Sequence, residues 1–186
     1  MTRFAMVMDT RRCVGCDSCT IACKIQNDLP LQIFFNPVVT DGPHGIYPQL
    51  HMNHIPLMCM HCAESPCVHV CPTGASKQDD DGIIWVDPVS CIGCGACIAA
   101  CPYDMRHKDK GSGVCMKCDF CKDRVRKRQE PHCVWTCHQR ARIFGDLDDP
   151  NSEVSRLVAS LRTERLLADL GTDPQVYYIV GTGGQG

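Results

Sequence analysis

The sequence predicts an α+β fold in which short strands and short helices surround groups of cysteines. The first observation behind this prediction is the cysteine content, seventeen in 186 residues, which in a short chain indicates a disulfide framework or a metal protein. The second is the shortness of the apolar segments: FAMVMD at 4–9 and GIIWVD at 82–87 are typical of strands, while TIACKI and CIAAC are typical of short helices. Such elements bury little apolar surface, so we expect metal groups and their ligands to act as the core, with folding coupled to metal insertion.

Composition and charge exclude several classes of protein. The opening MTRFAMVMDTRRC has no charged segment followed by an apolar core and a cleavage site, so we expect no secretory signal, and this disfavours a disulfide scaffold. No apolar run approaches the roughly 20 residues that cross a bilayer, so we expect any contact with a membrane to depend on a partner. The formal net charge of −2 argues against nucleic-acid binding, which requires a basic surface.

The cysteines form four quartets along the chain. Two of them follow the spacing CxxCxxCxxxC, which is the pattern of bacterial ferredoxins. In that pattern three closely spaced thiolates bind three irons of one [4Fe-4S] cluster, and the fourth cysteine binds a second cluster. A third quartet widens one gap to four residues but keeps the closing CxxxCP. These three quartets are Cys13, Cys16, Cys19 and Cys23; Cys59, Cys62, Cys67 and Cys71; and Cys91, Cys94, Cys97 and Cys101.

The remaining segment, VCMKCDFCKDRVRKRQEPHCVWTCHQ, holds five cysteines for one quartet. A CxxCxxC interpretation would use Cys115, Cys118 and Cys121. However, Cys133 and Cys137 repeat the closing CxxxC of the other quartets, which favours a quartet of Cys118, Cys121, Cys133 and Cys137 with an insertion in its loop. We therefore interpret Cys115 as the cysteine outside the quartet, and the CxxCxxC alternative stays open.

Zinc, haem and thioredoxin-like chemistry fit the spacing of the CxxC pairs less well. A structural zinc site takes four ligands from two separated pairs. Covalent haem attachment needs CxxCH, and a thioredoxin-like redox site needs a βαβ context, and the sequence offers neither. Each quartet is a closed four-thiolate site, and no nucleophile with its base and no phosphate-binding loop accompanies it. The sequence therefore predicts electron transfer, with no catalytic residues of its own.

Three features together resemble the four-cluster ferredoxin subunit of the molybdopterin oxidoreductase family: the order of the quartets, the segment KCDFCKDR followed by PHCVWTC, and the closing ARIFGDLDDPNSEVSRLV. That family includes the electron-transfer subunits of polysulfide, thiosulfate, tetrathionate, dimethyl sulfoxide and arsenate reductases. The resemblance covers most of residues 3–150. It breaks down where Cys137 is followed by His138 and Gln139 instead of the usual CP turn, and this leaves the properties of that cluster open.

The resemblance implies two ferredoxin-like modules related by pseudo-twofold symmetry, with a C-terminal helix. The inner module is continuous, whereas the outer module joins the two ends of the motif region. The implied divisions are an outer module at 1–28 and 112–150, an inner module at 52–111, a surface insertion at 29–51, and a C-terminal helix and tail at 151–186.

Two-cluster ferredoxins exchange the last cysteine of each quartet between their clusters. We call this exchange the crossed arrangement. Applied here, it predicts four [4Fe-4S] clusters. Their predicted ligand sets are Cys13, Cys16, Cys19 and Cys137; Cys118, Cys121, Cys133 and Cys23; Cys59, Cys62, Cys67 and Cys101; and Cys91, Cys94, Cys97 and Cys71. By resemblance, the cluster of Cys13 lies nearest the catalytic subunit of a complex and the cluster of Cys91 lies at the far end.

Four clusters in one chain are useful when they join a two-electron catalytic site to a distant donor or acceptor. The resemblance implies a large molybdopterin-binding catalytic subunit as partner, with molybdenum or tungsten, in a complex in which this chain is peripheral to a membrane. A quinone-reactive integral membrane subunit is an open second partner. Two alternatives also stay open: a free-standing polyferredoxin carrier, and an electron-transfer subunit of a soluble hydroxylase or dehydroxylase of the same superfamily.

Two segments outside the quartets also carry predictions. Residues 29–55 are rich in Pro, Asn, Gly and His, which is typical of a surface excursion. The segment after the quartets predicts a helix that begins at Pro150 or Asn151, ends at Gly171 and carries an apolar stripe. A terminal strand, QVYYIV, and a loose tail, GTGGQG, follow it. The stripe consists of Val154, Leu157, Val158 and Leu161.

Overall fold

The structure is a computed structural model that describes residues 2–180, and it shows a mixed α and β protein of short elements. The strands are β1 (Phe4–Asp9), β2 (Val38–Ile46), β3 (Gln49–Pro56), β4 (Ser76–Gln78), β5 (Ile84–Val86), β6 (His107–Lys108), β7 (Cys115–Met116), β8 (Arg142–Asp146), β9 (Thr163–Glu164) and β10 (Val176–Ile179). The helices are α1 (Ser18–Gln26), α2 (Pro66–His69), α3 (Ala96–Ala99), α4 (Lys122–Arg126), α5 (His132–Trp135) and α6 (Glu153–Ser160), with a 3₁₀ turn at Ala168–Leu170. None of the helices within residues 2–180 has the length and apolarity needed to cross a bilayer.

One four-stranded sheet brings the two ends of the chain together. Its order is β8, β1, β10, β9, with β1 antiparallel to β8 and parallel to β10. The predicted strands FAMVMD and QVYYIV are confirmed as β1 and β10, and the centre of GIIWVD is confirmed as β5. Because β1 lies between strands from the C-terminal third, the first quartet starts beside residues that follow the last quartet.

The two faces of this sheet pack against different partners. Side chains alternate along a strand, so Met6 and Met8 face a core that contains many of the cysteines, while Ala5 and Val7 face the opposite side. On that opposite side they pack with Val154 of α6, which is fully buried. The sheet therefore separates the cysteine core from a small apolar layer covered by α6.

The C-terminal helix is shorter than the sequence predicts. The helix α6 begins after Ser152, whose hydroxyl oxygen accepts a hydrogen bond from the backbone N–H of Ser155 at 3.4 Å. It ends before Leu161, which is extended, and β9 then pairs with β10. The prediction of one helix reaching Gly171 is wrong, because strand pairing takes the backbone groups that the helix would have used. The predicted tail GTGGQG lies outside the described residues.

The predicted surface excursion has two parts of different character. Leu29, Ile33 and Phe35 are buried in the cysteine core. After them, β2 and β3 form an antiparallel hairpin whose tip residues Ile46 and Tyr47 are each 85% exposed. The sequence did not predict this hairpin because its Gly and Pro residues interrupt the apolar alternation that marks a strand.

Candidate metal centres

One cavity is lined by cysteines from both ends of the motif region. We call it the Cys13 cavity: Cys13, Cys16 and Cys19 of the first quartet line it together with Cys137 of the fourth. The loop needs glycine at position 15, where φ is +64° and a Cβ atom would lie 2.5 Å from the Nδ1 atom of His54. The structure thus brings these four cysteines to one cavity.

A second cavity, the Cys91 cavity, is lined by five cysteines. Cys91, Cys94 and Cys97 of the third quartet line it together with Cys71 of the second. The fifth is Cys115, which is 2% exposed and whose backbone N–H donates to the Sγ atom of Cys91 at 3.5 Å. Cys115 therefore lies with the third quartet, although it is close in sequence to the fourth.

A third group forms around Cys62. Burial raises the pKa of the Cys62 thiol to about 12, and the nearby thiols of Cys59, Cys67 and Cys101 act in the same direction. These are the other three members of its predicted ligand set. Ionised thiols at such close range repel one another in the metal-free protein, whereas bound iron stabilises their thiolate forms.

The fourth group forms around Cys118. Burial raises the pKa of the Cys118 thiol well above its ordinary value, and Cys23, Cys121 and Cys133 add to the effect. The pKa of the Cys23 thiol is raised to about 12 by burial and then by Cys133 and Cys121. The last cysteine of the first quartet therefore lies among cysteines of the fourth.

Short helices explain why the last cysteine of a quartet reaches a different group. In α1, Cys19 and Cys23 are four residues apart, so they lie on one face at successive turns. Cys19 lines the Cys13 cavity, and Cys23 lies near Cys133, which is carried by α5. The helices α1 and α5 pack against each other, and so do α2 and α3. Each of these four helices thus carries the polypeptide from one cysteine group to the next.

Hydrogen bonds reach several of the sulfur atoms. The backbone N–H of Ser76 donates to Cys71 Sγ at 3.4 Å, and that of Ala141 donates to Cys137 Sγ at 3.3 Å. The side-chain amide of Asn27 donates to Cys23 Sγ at 3.4 Å. Such bonds stabilise negative charge on sulfur, and at an iron–sulfur cluster they help to set the reduction potential.

Sequence reasoning missed three buried cations beside these groups. Arg106 and Arg142 are each 2% exposed, and Lys117 is 5% exposed. Arg106 donates to Cys67 Sγ at 3.0 Å and lines the Cys91 cavity, and Arg142 lines the Cys13 cavity. A signal was present in the sequence, since each arginine follows the closing cysteine of a quartet, Cys101 or Cys137, by five positions.

The charge of these cations supports the fit of iron–sulfur clusters. None of the three pairs with a carboxylate in the part of the protein that the structure describes. Three of their nitrogen atoms, Nε and Nη1 of Arg106 and Nη2 of Arg142, are buried there without a hydrogen-bond partner. A buried cation is costly unless a negative group compensates it, and a thiolate-ligated cluster is such a group. Within residues 2–180, no three His, Cys, Asp or Glu side chains converge on one metal ion, so the fit rests on the cavities, the thiol donors and these cations.

Comparison with known proteins agrees with this donor set. Residues 50–147 match the family described as a 4Fe-4S dicluster domain, and residues 10–27 match a 4Fe-4S binding domain. The first match includes all of the second, third and fourth quartets, and the second match includes the first quartet.

Several curated relatives match nearly the whole sequence. A polysulfide reductase subunit of Wolinella succinogenes is 39% identical over 95% of this chain and 94% of its own length. A protein of Halobacterium salinarum assigned as an iron-sulfur subunit of a dimethyl sulfoxide reductase is 42% identical, with 97% and 80% covered. The thiosulfate reductase electron transfer subunit of Salmonella typhi is 42% identical, with 88% and 85% covered. The chain therefore belongs to the [4Fe-4S] iron–sulfur electron-transfer subunits of the molybdopterin oxidoreductase family.

Proposed function

We propose that this chain relays electrons through four [4Fe-4S] clusters between a molybdenum or tungsten bis-pterin catalytic subunit and a quinone-linked membrane subunit or another redox partner. The observation that carries the proposal is the gathering of sixteen cysteines into four groups, each of which combines members of two quartets. When bound, a [4Fe-4S] cluster accepts and releases one electron at a time. The residues of this chain hold each cluster, keep water away from it and donate hydrogen bonds to its sulfur ligands.

The proposed ligand assignment follows the crossed arrangement, and each cluster is named after one of its ligands. The sets are the Cys13 cluster (Cys13, Cys16, Cys19, Cys137), the Cys118 cluster (Cys118, Cys121, Cys133, Cys23), the Cys59 cluster (Cys59, Cys62, Cys67, Cys101) and the Cys91 cluster (Cys91, Cys94, Cys97, Cys71). The two cavities and the mutual effects on thiol pKa described above support all four sets.

We also propose that the protein consists of two modules related by pseudo-twofold symmetry. The inner module spans 52–111, and the outer module combines 1–28 with 112–150. Two correspondences support this symmetry: α2 packs on α3 as α1 packs on α5, and Arg106 corresponds to Arg142 in its distance from a closing cysteine.

We further propose that the chain binds a larger catalytic subunit. The relatives are named as subunits of polysulfide, dimethyl sulfoxide and thiosulfate reductases, and we extend such an assembly, peripheral to a membrane, to this chain. Val14, Ile21 and Ile25 are exposed on the loop and helix that contribute to the Cys13 cavity, at 51%, 54% and 75%. This apolar surface is suited to contact with the catalytic subunit at the Cys13 cluster.

Anaerobic affinity purification from the native host is the test of this partner. We expect a larger pterin-containing subunit to copurify, because the relay has no catalytic end of its own. Ile21→Asp combined with Ile25→Asp should reduce that copurification at least tenfold and leave the iron content unchanged. The matched control is Val89→Asp, at a side chain that is 93% exposed beside the third quartet. A native, redox-active pool that is entirely monomeric would favour the polyferredoxin alternative.

Substitution of the fifth cysteine tests the ligand assignment in the fourth quartet. We expect Cys115→Ser to keep the full iron content, because Cys115 touches Cys91 Sγ through its backbone N–H, which serine retains. Cys118→Ser or Cys133→Ser should lose or convert one cluster. Iron and sulfide analysis of anaerobically purified protein, with electron paramagnetic resonance, measures the difference. Full content after Cys133→Ser together with loss after Cys115→Ser would restore the CxxCxxC interpretation.

A further inference from the structure

The three buried cations occupy separate positions among the four proposed clusters. Arg142 lines the Cys13 cavity and Arg106 lines the Cys91 cavity, whereas Lys117 lies where the fourth quartet meets the second. We propose that Lys117 is a redox-tuning residue whose ammonium charge raises the reduction potentials of the Cys59 and Cys118 clusters, and thereby sets the electron-transfer step between the two modules. This inference rests on the cluster assignment of the proposed function.

The position of Lys117 spans the two modules. It directly precedes Cys118 in the sequence, and its Nζ atom donates to the backbone oxygen of Ile84 in β5, which belongs to the inner module. The backbone N–H of Ile84 in turn donates to Nδ1 of His61, which lies between Cys59 and Cys62 of the second quartet. Lys117 is therefore within electrostatic reach of a ligand of the Cys59 cluster while being adjacent to a ligand of the Cys118 cluster.

A ring stack marks the same junction. His61 lies between Cys59 and Cys62, and Phe120 lies between Cys118 and Cys121; both are fully buried, and their ring centroids are 3.6 Å apart with an interplanar angle of 11°. The two cluster loops are thus in direct contact. The Nδ1 atom of His61 accepts a hydrogen bond from the backbone N–H of Ile84 at 3.1 Å, so β5 of the inner module also contacts this stack.

Lys117 is a buried cation at this contact. The residue is 5% exposed, and its ammonium group forms no salt bridge with any carboxylate of residues 2–180. Reduction makes a cluster more negative by one charge, and a fixed cation nearby in a poorly screened interior stabilises the more negative state. The reduction potential of a cluster depends on such local charge and on its exposure to solvent. The charge of Lys117 therefore favours the reduced state of both the Cys59 cluster and the Cys118 cluster.

The two arginines differ from Lys117 in the clusters that they reach. Arg106 acts on thiols of Cys67, Cys59 and Cys97, which belong to the two clusters of the inner module. Arg142 acts most strongly on thiols of Cys133 and Cys19, which belong to the two clusters of the outer module, and its Nη1 atom also donates to Sδ of Met58, next to Cys59, at 3.9 Å. Lys117 is the cation that directly precedes a ligand of the outer module while its Nζ atom donates to β5 of the inner module, and the clusters it affects are predicted to be one from each.

Redox titration of the whole complex, followed by electron paramagnetic resonance, tests the proposal in the Lys117→Met variant. We expect the equilibrium constant for reduction to fall about tenfold at two clusters, which is about 59 mV for a one-electron couple, with much smaller changes at the other two. Lys117→Arg keeps the charge and should keep potentials near those of the unsubstituted protein. Lys110→Met removes an exposed lysine and is the matched control, with no expected shift.

The iron content of each variant separates this proposal from the one on which it rests. Fewer than four clusters in the unsubstituted protein would reject the cluster assignment, whatever the potentials are. Full loading of Lys117→Met with unchanged potentials, or with an equal shift at all four clusters, would overturn the role of Lys117. Lys117→Gln retains a hydrogen-bond donor for the backbone oxygen of Ile84. It replaces Lys117→Met in the redox titration if the methionine variant does not take up all four clusters. Failure of both neutral variants to load would also overturn the proposal, because Lys117 would then serve assembly and not tuning.

Discussion

Anaerobically purified protein is expected to contain about 16 iron and about 16 acid-labile sulfide atoms per chain, and to lose its folded structure when they are removed. The reason lies in the larger core, in which cysteines pack directly with the apolar side chains of the sheet, such as Met6 and Met8. Removal of the clusters leaves this core without the groups that fill it. Iron and sulfide assays, followed by near-ultraviolet circular dichroism and limited proteolysis after chelation, measure both parts of the prediction.

The buried cations give the size of the expected effect. Arg106, Lys117 and Arg142 lose the negative clusters that compensate them, and an uncompensated buried ion costs several kcal/mol. A domain of ordinary stability has about 5–15 kcal/mol in total, so three such ions are enough to unfold the cysteine core. Reconstitution with iron and sulfide should restore protease resistance. Zinc in place of iron, half the expected iron, or a metal-free chain that stays resistant would contradict the prediction.

Some elements of the fold could be predicted from the sequence because their determinants are local. The strands β1 and β10 show buried apolar side chains within short runs, and the structure has them where the sequence predicts them. The end of α6 depends instead on pairing between β9 and β10, which are brought together by the whole sheet. The hairpin of β2 and β3 was missed for a related reason, since its regularity comes from pairing and not from its composition.

The candidate metal sites also combine local features, which the sequence shows, with features that depend on tertiary contacts. Cysteine spacing is a local property, so the four quartets can be proposed from the sequence alone. The buried cations were missed because Arg and Lys are almost always exposed unless they are paired, and the compensating charge belongs to clusters assembled from distant parts of the sequence. The position of Cys115 in the Cys91 cavity also depends on tertiary contacts, because Cys115 lies in β7 and β7 brings it there from a sequence position near the fourth quartet.

Cys13→Ala and Cys137→Ala are each expected to lose one cluster, and the cluster lost should be the same one in both variants. These residues line one cavity although they lie at opposite ends of the motif region. In the crossed arrangement they bind the same cluster, so the double variant Cys13→Ala with Cys137→Ala should damage no more clusters than either single variant. Mössbauer spectroscopy and iron analysis count the clusters that are lost or converted.

The matched pair for this experiment combines Cys137→Ala with Cys118→Ala. In the crossed arrangement these cysteines bind different clusters, so the damage should add and two clusters should be lost. The comparison is decisive because both double variants contain the same change at Cys137, and a general loss of stability would affect them alike. The inner module provides an independent repeat, in which Cys59→Ala with Cys101→Ala should not add, whereas Cys91→Ala with Cys101→Ala should. Additive loss for Cys13 with Cys137, together with non-additive loss for Cys118 with Cys137, would show that the fourth quartet keeps its own last cysteine. The crossed arrangement would then be rejected, while the number of clusters would stand.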